Sequence, residues 1–355
     1  MPTPLARRLQ ITLPIIQGPM TGADSPELAA AVSAAGGLGT LGCGMRSPAA
    51  MVEAAAAVRQ RTGRPFGMNL FVQATPSPDP ATVQAAMARL APLYAELGLQ
   101  PQQPAQWCED FEAQFDALVA LRPAVASFTF GILTAEQVHR LHAAGSLVMG
   151  TATTVAEAKA WQAVGADAVC ASGAESGGHR GTFLGDFQSS QVSTMALVPL
   201  CVDALDIPVV AAGGIMDGRG VAAAQALGAQ AVQMGTAFLV CPESAIAPVY
   251  RQALAQAQET DTRLTRVFSG RPARGIVNPM MDALAADEET VPHYPVQNAL
   301  TGPLRRAAAT QGRASHLSLW AGQGVPAARA LPAAELVRTL ESEWHAARQK
   351  LAAGL

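Results

Sequence analysis

Eight short runs of apolar, β-favouring residues recur along the first two thirds of the chain, each followed by an alanine-rich or otherwise helical stretch. They read LPIIQGP, LGTLGC, FGMNLFV, AVASFTF, SLVMGTA, ADAVCAS, IPVVAAG and AVQMGTAF. Intervening pieces such as SPELAAAVSAAGG and TAEQVHRLHAAG open on a Ser or Thr that can cap a helix and close on a Gly that can end one. The runs are nearly continuous in apolar residues rather than alternating, as parallel strands covered on both faces should be. Eight such units ending near residue 240 predict an α/β fold of the (β/α)8 or TIM-barrel type, because a doubly wound sheet suits five or six strands better.

Two stretches interrupt the rhythm, QATPSPDP (73–80) and QPQQPAQWCEDF (100–111). The expected organisation is a barrel over 1–240, a small and mostly helical cap over 241–318, and a segment over 319–355 whose helix, LPAAELVRTLESEWHAARQKL, returns to the barrel. Half of the residues are hydrophobic and 14% are charged, yet no apolar run has membrane-spanning length. The N-terminal stretch lacks the apolar region and cleavage site of a signal peptide. A net charge of −3 without a Lys/Arg-rich tract offers nucleic acid no basic field. Five scattered cysteines without a C-x-x-C pair read as reduced thiols in a cytoplasmic protein, and they support no metal site. A homodimer is left open as the assembly.

Chemistry in such barrels lies at the C-terminal strand ends. The seventh run ends in AAGGIMDGRG and the eighth in QMGTAF, so Gly213, Gly214, Gly235 and Thr236 meet where these barrels commonly hold a phosphate. The first run delivers Gln17 and Met20, and the third delivers Asn69, whose amide can donate to and accept from a heterocycle. The sixth runs into ASGAESGGHRGTF, which brings Ser172, Gly177, Gly178 and His179 to the same mouth. There the glycines would let a flat ring pass against the main chain, with the imidazole beside it. The residues alone leave other readings open: a mobile solvent loop around His179, core filling by Met20, a strand-end amide at Asn69. His139 and His142 fall three apart on an outer helix and suit surface polarity better than a metal. Trp320 suits packing, and Arg271 and Arg274 suit either an anion or a solvated cap.

QGPM, GGLG, ESGGHRG, VVAAGGIMDGRG and VQMGTAF, in that order, resemble the nitronate monooxygenase family, class I, formerly called 2-nitropropane dioxygenase. YPVQNAL and WAGQG extend the resemblance nearly end to end. It implies an FMN-dependent TIM barrel acting on a small nitronate or nitroalkane with dioxygen, propionate 3-nitronate being one such substrate. It also implies flavin contacts at Asn69, Gly177, Gly214 and Gln233–Thr236, with Gly213 adjoining, and a base at His179 for neutral nitroalkanes. The chain departs from the family pattern at Thr129, where a His is common, and at Ser172, where a Gln is common. In the cap, Asn298 and Gly302 stand where a Tyr and a Lys occur, while Tyr294 remains. Thr129, Tyr294 and Asn298 are therefore the expected substrate contacts. The rivals are an NADH-dependent quinone or enoyl-thioester reductase on the same barrel, and an FMN-binding protein without nitronate turnover. A phosphosugar isomerase or aldolase would want a Lys or carboxylate at a strand end, which the runs lack.

Overall fold

Residues that cannot continue a strand set the helix starts. Ser25, Ser47 and Asp79 each precede a proline, and their side chains accept from the N–H three residues on, at Leu28, Ala50 and Thr82. Thr134 and Gln137 form a reciprocal capping box. Between these helices the apolar runs pair as expected. The computed structural model, which describes residues 2–354, contains barrel strands β1 (Ile15–Gln17), β2 (Gly39–Gly42), β3 (Phe66–Phe71), β4 (Val125–Thr129), β5 (Leu147–Ala152) and β6 (Ala168–Ser172). After β7 (Gly178–His179), which lies outside the barrel, come β8 (Val209–Ala212) and β9 (Ala231–Met234). All eight barrel strands are parallel, in the order β1-β9-β8-β6-β5-β4-β3-β2. The ring closes between β1 and β2 through an Ile16–Leu38 bridge, with Gln17 N–H donating to Leu38 O and Leu38 N–H to Ile15 O, both at 2.9 Å. This is a TIM barrel.

Side chains alternate along each strand. Ile16, Val125, Met149, Cys170, Val210 and Ala231 fill the barrel interior, and Leu5, Leu9 and Ile11 from the N-terminal segment plug its lower end. Their neighbours, among them Ile15, Phe128, Val169 and Val232, pack outward against the helices. A third apolar cluster forms the cap. It takes Leu90, Leu93 and Tyr94 from the helix Pro80–Ala95 together with Phe268, Leu300 and Leu304 from much later in the chain. The Tyr94 hydroxyl donates to Leu300 O at 2.6 Å across that junction. The cap is mostly helical, and it also carries an antiparallel sheet of β10 (Thr262–Thr265), β11 (Ala273–Ile276) and β7. The last helix, Ala333–Ala352, buries Leu336, Val337 and Leu340, and its Trp344 Nε1 donates to Gln225 Oε1 at 2.9 Å. Among the described residues no helix is long and apolar enough to cross a membrane.

Candidate active site

His179 sits in a strand rather than an irregular solvent loop. His179 and Gly178 form β7, which pairs with Ala273 and Arg274 of β11, so the cap sheet holds the imidazole. Gly178 has φ +73°, a region glycine enters without strain. The bareness of Gly177 serves the protein's own chain: a Cβ there would fall 2.4 Å from Gly322 N and 2.5 Å from Ala321 C. Arg180 locks the segment from behind, its Nη1 donating to Ser172 O at 3.0 Å and Gly173 O at 2.6 Å, its Nη2 to Ser190 O at 3.2 Å. The expected close approach of a ring to the backbone at Gly177 is thus partly taken up by the WAGQG segment, although the residue still borders the cavity.

Three aromatic rings surround the imidazole edge-on: Trp320 at 5.3 Å between centroids, Phe130 at 5.4 Å and Tyr294 at 5.7 Å. Phe130 adopts φ +79°, a costly conformation for a bulky residue, and stacks on Phe71 at 4.3 Å. The Arg271 guanidinium lies over its ring at 4.2 Å. The Ser269 hydroxyl donates to Arg271 O at 3.1 Å, so its oxygen accepts from His179 Nε2–H at 2.8 Å. That assignment leaves Nδ1 as the nitrogen with the free lone pair. Burial, followed by the charges of Arg271 and Arg305, pushes the imidazole pKa down to about 3. An imidazole ordinarily titrates near neutrality, but this ring is held firmly neutral.

His179 borders a cavity of about 520 Å³ at the C-terminal strand ends, within the range of small-molecule sites. A glycine cradle lines the same cavity. Gly213 and Gly214 have φ +113° and +70°, and among the described residues none accepts from their amide N–H groups or from that of Gly235. A Cβ at Gly235 would touch only Met20, at 3.8 Å, so nothing in the protein itself requires a glycine there. Thr236 Oγ1 accepts from Gly322 N–H at 3.0 Å and keeps its own hydrogen to give. Bare N–H groups, space and a hydroxyl suit an oxyanion such as phosphate.

Asn69 reaches the cavity with both amide hydrogens committed, to Ser127 Oγ at 3.1 Å and Thr129 Oγ1 at 3.4 Å. Its carbonyl is the group left for a ligand. Thr129 also pairs with Thr151 at 3.3 Å, so it supports Asn69 as well as lining the cavity. Ser172 meets Ser176 at 3.1 Å. Met20, Gln233, Met234, Tyr294 and Asn298 border the same space. Gln17 does not. It is fully buried, its Oε1 accepting from Thr40 N–H at 3.0 Å and its Nε2 donating to Gly18 O, so its amide ties β1 to β2 below the mouth. Sequence reading gave no role to Phe130, Ser269 or Arg305; only the clustering of aromatic residues around SFTFG and YP hinted at the enclosure. Among the described residues no three His, Cys, Asp or Glu side chains group as a metal site.

Barrel, glycine cradle and enclosed imidazole together define the class, a TIM-barrel oxidoreductase. The family model described as nitronate monooxygenase matches residues 3–343. Over 346 residues, 95% of this chain and 97% of the relative, it is 45% identical to the nitronate monooxygenase of Pseudomonas aeruginosa. The solved structure of nitroalkane oxidase from Streptomyces ansochromogenes superposes with TM-score 0.90 at 41% identity, covering 98% of this chain and 99% of that one. FabK from Thermotoga maritima is a more distant likeness, with TM-score 0.79 and 31% identity over the whole of both chains. The chain belongs to the nitronate monooxygenase family, a family of flavoenzymes.

Proposed function

We propose that this protein oxidises alkyl nitronates, or the parent nitroalkanes, with dioxygen, using FMN as its flavin. One observation carries the reading: a single cavity joins the glycine cradle to the enclosed, neutral His179. Gly213, Gly214, Gly235 and Thr236 would hold the phosphate through amide N–H groups and a hydroxyl. Asn69 Oδ1 and Gln233 would meet the polar edge of the ring system, with Met20, Met234, Ser172, Gly177 and Gly178 bordering it. When bound, the flavin supplies electron acceptance from the substrate and electron delivery to dioxygen.

The protein's own part is binding, orientation and the proton. His179, fixed by Ser269, presents a neutral ring whose free nitrogen can take the Cα proton of a neutral nitroalkane. A conjugate acid with a pKa near 3 makes that transfer uphill, unless the nitronate it creates remains beside the imidazolium and pairs with it. The site thus suits substrates that arrive already ionised, for which His179 orients the nitro oxygens and Phe130, Tyr294 and Trp320 exclude water. Tyr294, Thr129 and Asn298 would line the substrate end.

The test is anaerobic addition of an alkyl nitronate, and separately NADH, to the flavin-loaded protein while its absorption is followed. Reduction by nitronate alone is expected; reduction by NADH alone would assign the chain to a flavin reductase. His179→Asn is expected to keep its flavin and lose neutral-nitroalkane turnover by roughly a hundredfold or more, with a much smaller loss on preformed nitronates. Equal losses on both substrates would remove the base role.

A further inference from the structure

Gly181, two residues past His179, does not border the cavity, yet its bareness shapes one wall of it. A Cβ there would fall 2.9 Å from Thr151 Cγ2 and 3.4 Å from Thr129 Cγ2. The glycine therefore lies directly on the methyl groups of two threonines, and β-branched side chains packed in this way keep one rotamer. Val125 and Met149 fill the barrel interior, so Ser127, Thr129 and Thr151, further along the same two strands, face the same axis nearer the mouth. All three border the cavity. Asn69 Nδ2 gives its two hydrogens to Ser127 Oγ and Thr129 Oγ1, and Thr129 Oγ1 meets Thr151 Oγ1 at 3.3 Å. One hydroxyl hydrogen thus bridges the threonines. The other threonine hydrogen, and that of Ser127, have no acceptor among the described residues. A partly enclosed hydroxyl without an acceptor costs free energy that a bound oxygen restores. Strand β4 lies across the eight-strand ring from β9, which leads into Gly235 and Thr236, so these donors stand on the wall away from the glycine cradle. They stand on the histidine's side: Phe130, next after Thr129, holds its ring 5.4 Å from the imidazole.

We propose that Thr129 and Thr151, with Ser127 beside them, form the site that receives the nitro group. Their unspent hydroxyl hydrogens donate to its oxygens and hold the reacting end of the substrate beside His179. This rests on the nitronate reading above. Gly181 and Asn69 are the positioning partners: the glycine fixes the methyl groups, and the amide fills one acceptor site on Ser127 and one on Thr129, which leaves their hydrogens for a ligand or for Thr151. Position 129, where a histidine is common in the family, here carries a donor that stays neutral at every physiological pH. The site therefore binds by hydrogen bonds alone, and its ligand class is a small planar oxyanion.

The experiment compares the flavin-loaded wild type with Thr129→Val, Thr151→Val, the double valine variant and Thr129→Ser. Valine keeps the methyl contact with Gly181 and removes only the hydroxyl. The substrate is the nitronate of 1-nitropropane. Calorimetric binding of nitrate, which copies the planar end of a nitronate and cannot be oxidised, gives a readout free of turnover. The double variant should raise the nitronate KM and the nitrate dissociation constant together, by roughly tenfold to a hundredfold. Each single valine variant should do so by less, and Thr129→Ser should stay within about threefold of the wild type on both. FMN affinity should change less than about threefold throughout. Unchanged nitronate KM and nitrate binding in the double variant overturn the proposal. So does weakened FMN affinity with unchanged nitrate binding, which would give the hydroxyls to the cofactor. If the double variant does not fold, the single valine variants against Thr129→Ser decide. A wild type that oxidises no nitronate undoes the nitronate reading, whereas nitrate binding lost in the double variant and kept in Thr129→Ser still supports the oxyanion site.

Discussion

His179 should make the folded protein sensitive to acid by a calculable amount. In the unfolded chain an imidazole takes up a proton below about pH 6.5; in the fold, burial and the Arg271 and Arg305 charges delay that uptake until about pH 3. Between those values the unfolded state binds the extra proton, so this group's share of stability is present above the unfolded pKa and lost as pH falls. At about pH 5 the loss is RT ln(1 + 10^1.5), about 2 kcal/mol, whereas at about pH 7.5 it is close to zero. His179→Asn cannot take the proton. Between about pH 7.5 and pH 5 its unfolding free energy should therefore fall by about 2 kcal/mol less than that of the wild type. Urea unfolding of the two flavin-free proteins at both pH values measures this difference, and titrating groups common to both cancel. Nitrogen-15 spectra of the histidine rings provide a second check, since the resonance missing from the variant should not titrate near neutrality. Parallel acid losses in the two proteins, or a midpoint for this ring near 6.5, would refute the electrostatic account and restore an ordinary near-neutral base.

Gly235→Leu is expected to weaken FMN binding tenfold or more, because its side chain enters the cradle, yet to leave flavin-free stability nearly unchanged, since a Cβ there meets only Met20; flavin titration and thermal unfolding together check this, and retained affinity would move the phosphate elsewhere. Asn69→Leu removes the amide that bonds Ser127 and Thr129 and should cost about 1–3 kcal/mol in chemical unfolding. The same variant should loosen the flavin by removing the acceptor that faces the cavity, and an unchanged dissociation constant would take Asn69 out of the cofactor site.

The barrel was legible because its signal is local. A strand covered on both faces must be apolar along its length, and a capped helix must follow to cover it, so every one of the eight runs contains a barrel strand. The glycine cradle was legible for a related reason: strand direction in a TIM barrel dictates that Gly213, Gly214, Gly235 and Thr236 reach one mouth. Gln17 shows where this logic stops. It too is a polar residue at a strand end, but its side chain turns toward Thr40 across the barrel's closing seam, and register rather than position along the strand decided that.

The enclosure of His179 could not be read locally. Phe130, Ser269, Tyr294 and Trp320 come from four separate segments, and the histidine meets them because β7 leaves the barrel to pair with β11 in the cap. The sequence alone determined a barrel, the mouth where its chemistry would lie, and a histidine at that mouth, since each follows from the period and direction of neighbouring elements. Tertiary structure alone decided that this ring is neutral and that, of the adjacent Arg305 and Arg306, the first lines the cavity while the second faces solvent. The physical reason is that ionisation and charge recognition depend on desolvation and on distant partners, and these are properties of the packed cap against the barrel rather than of any stretch of chain.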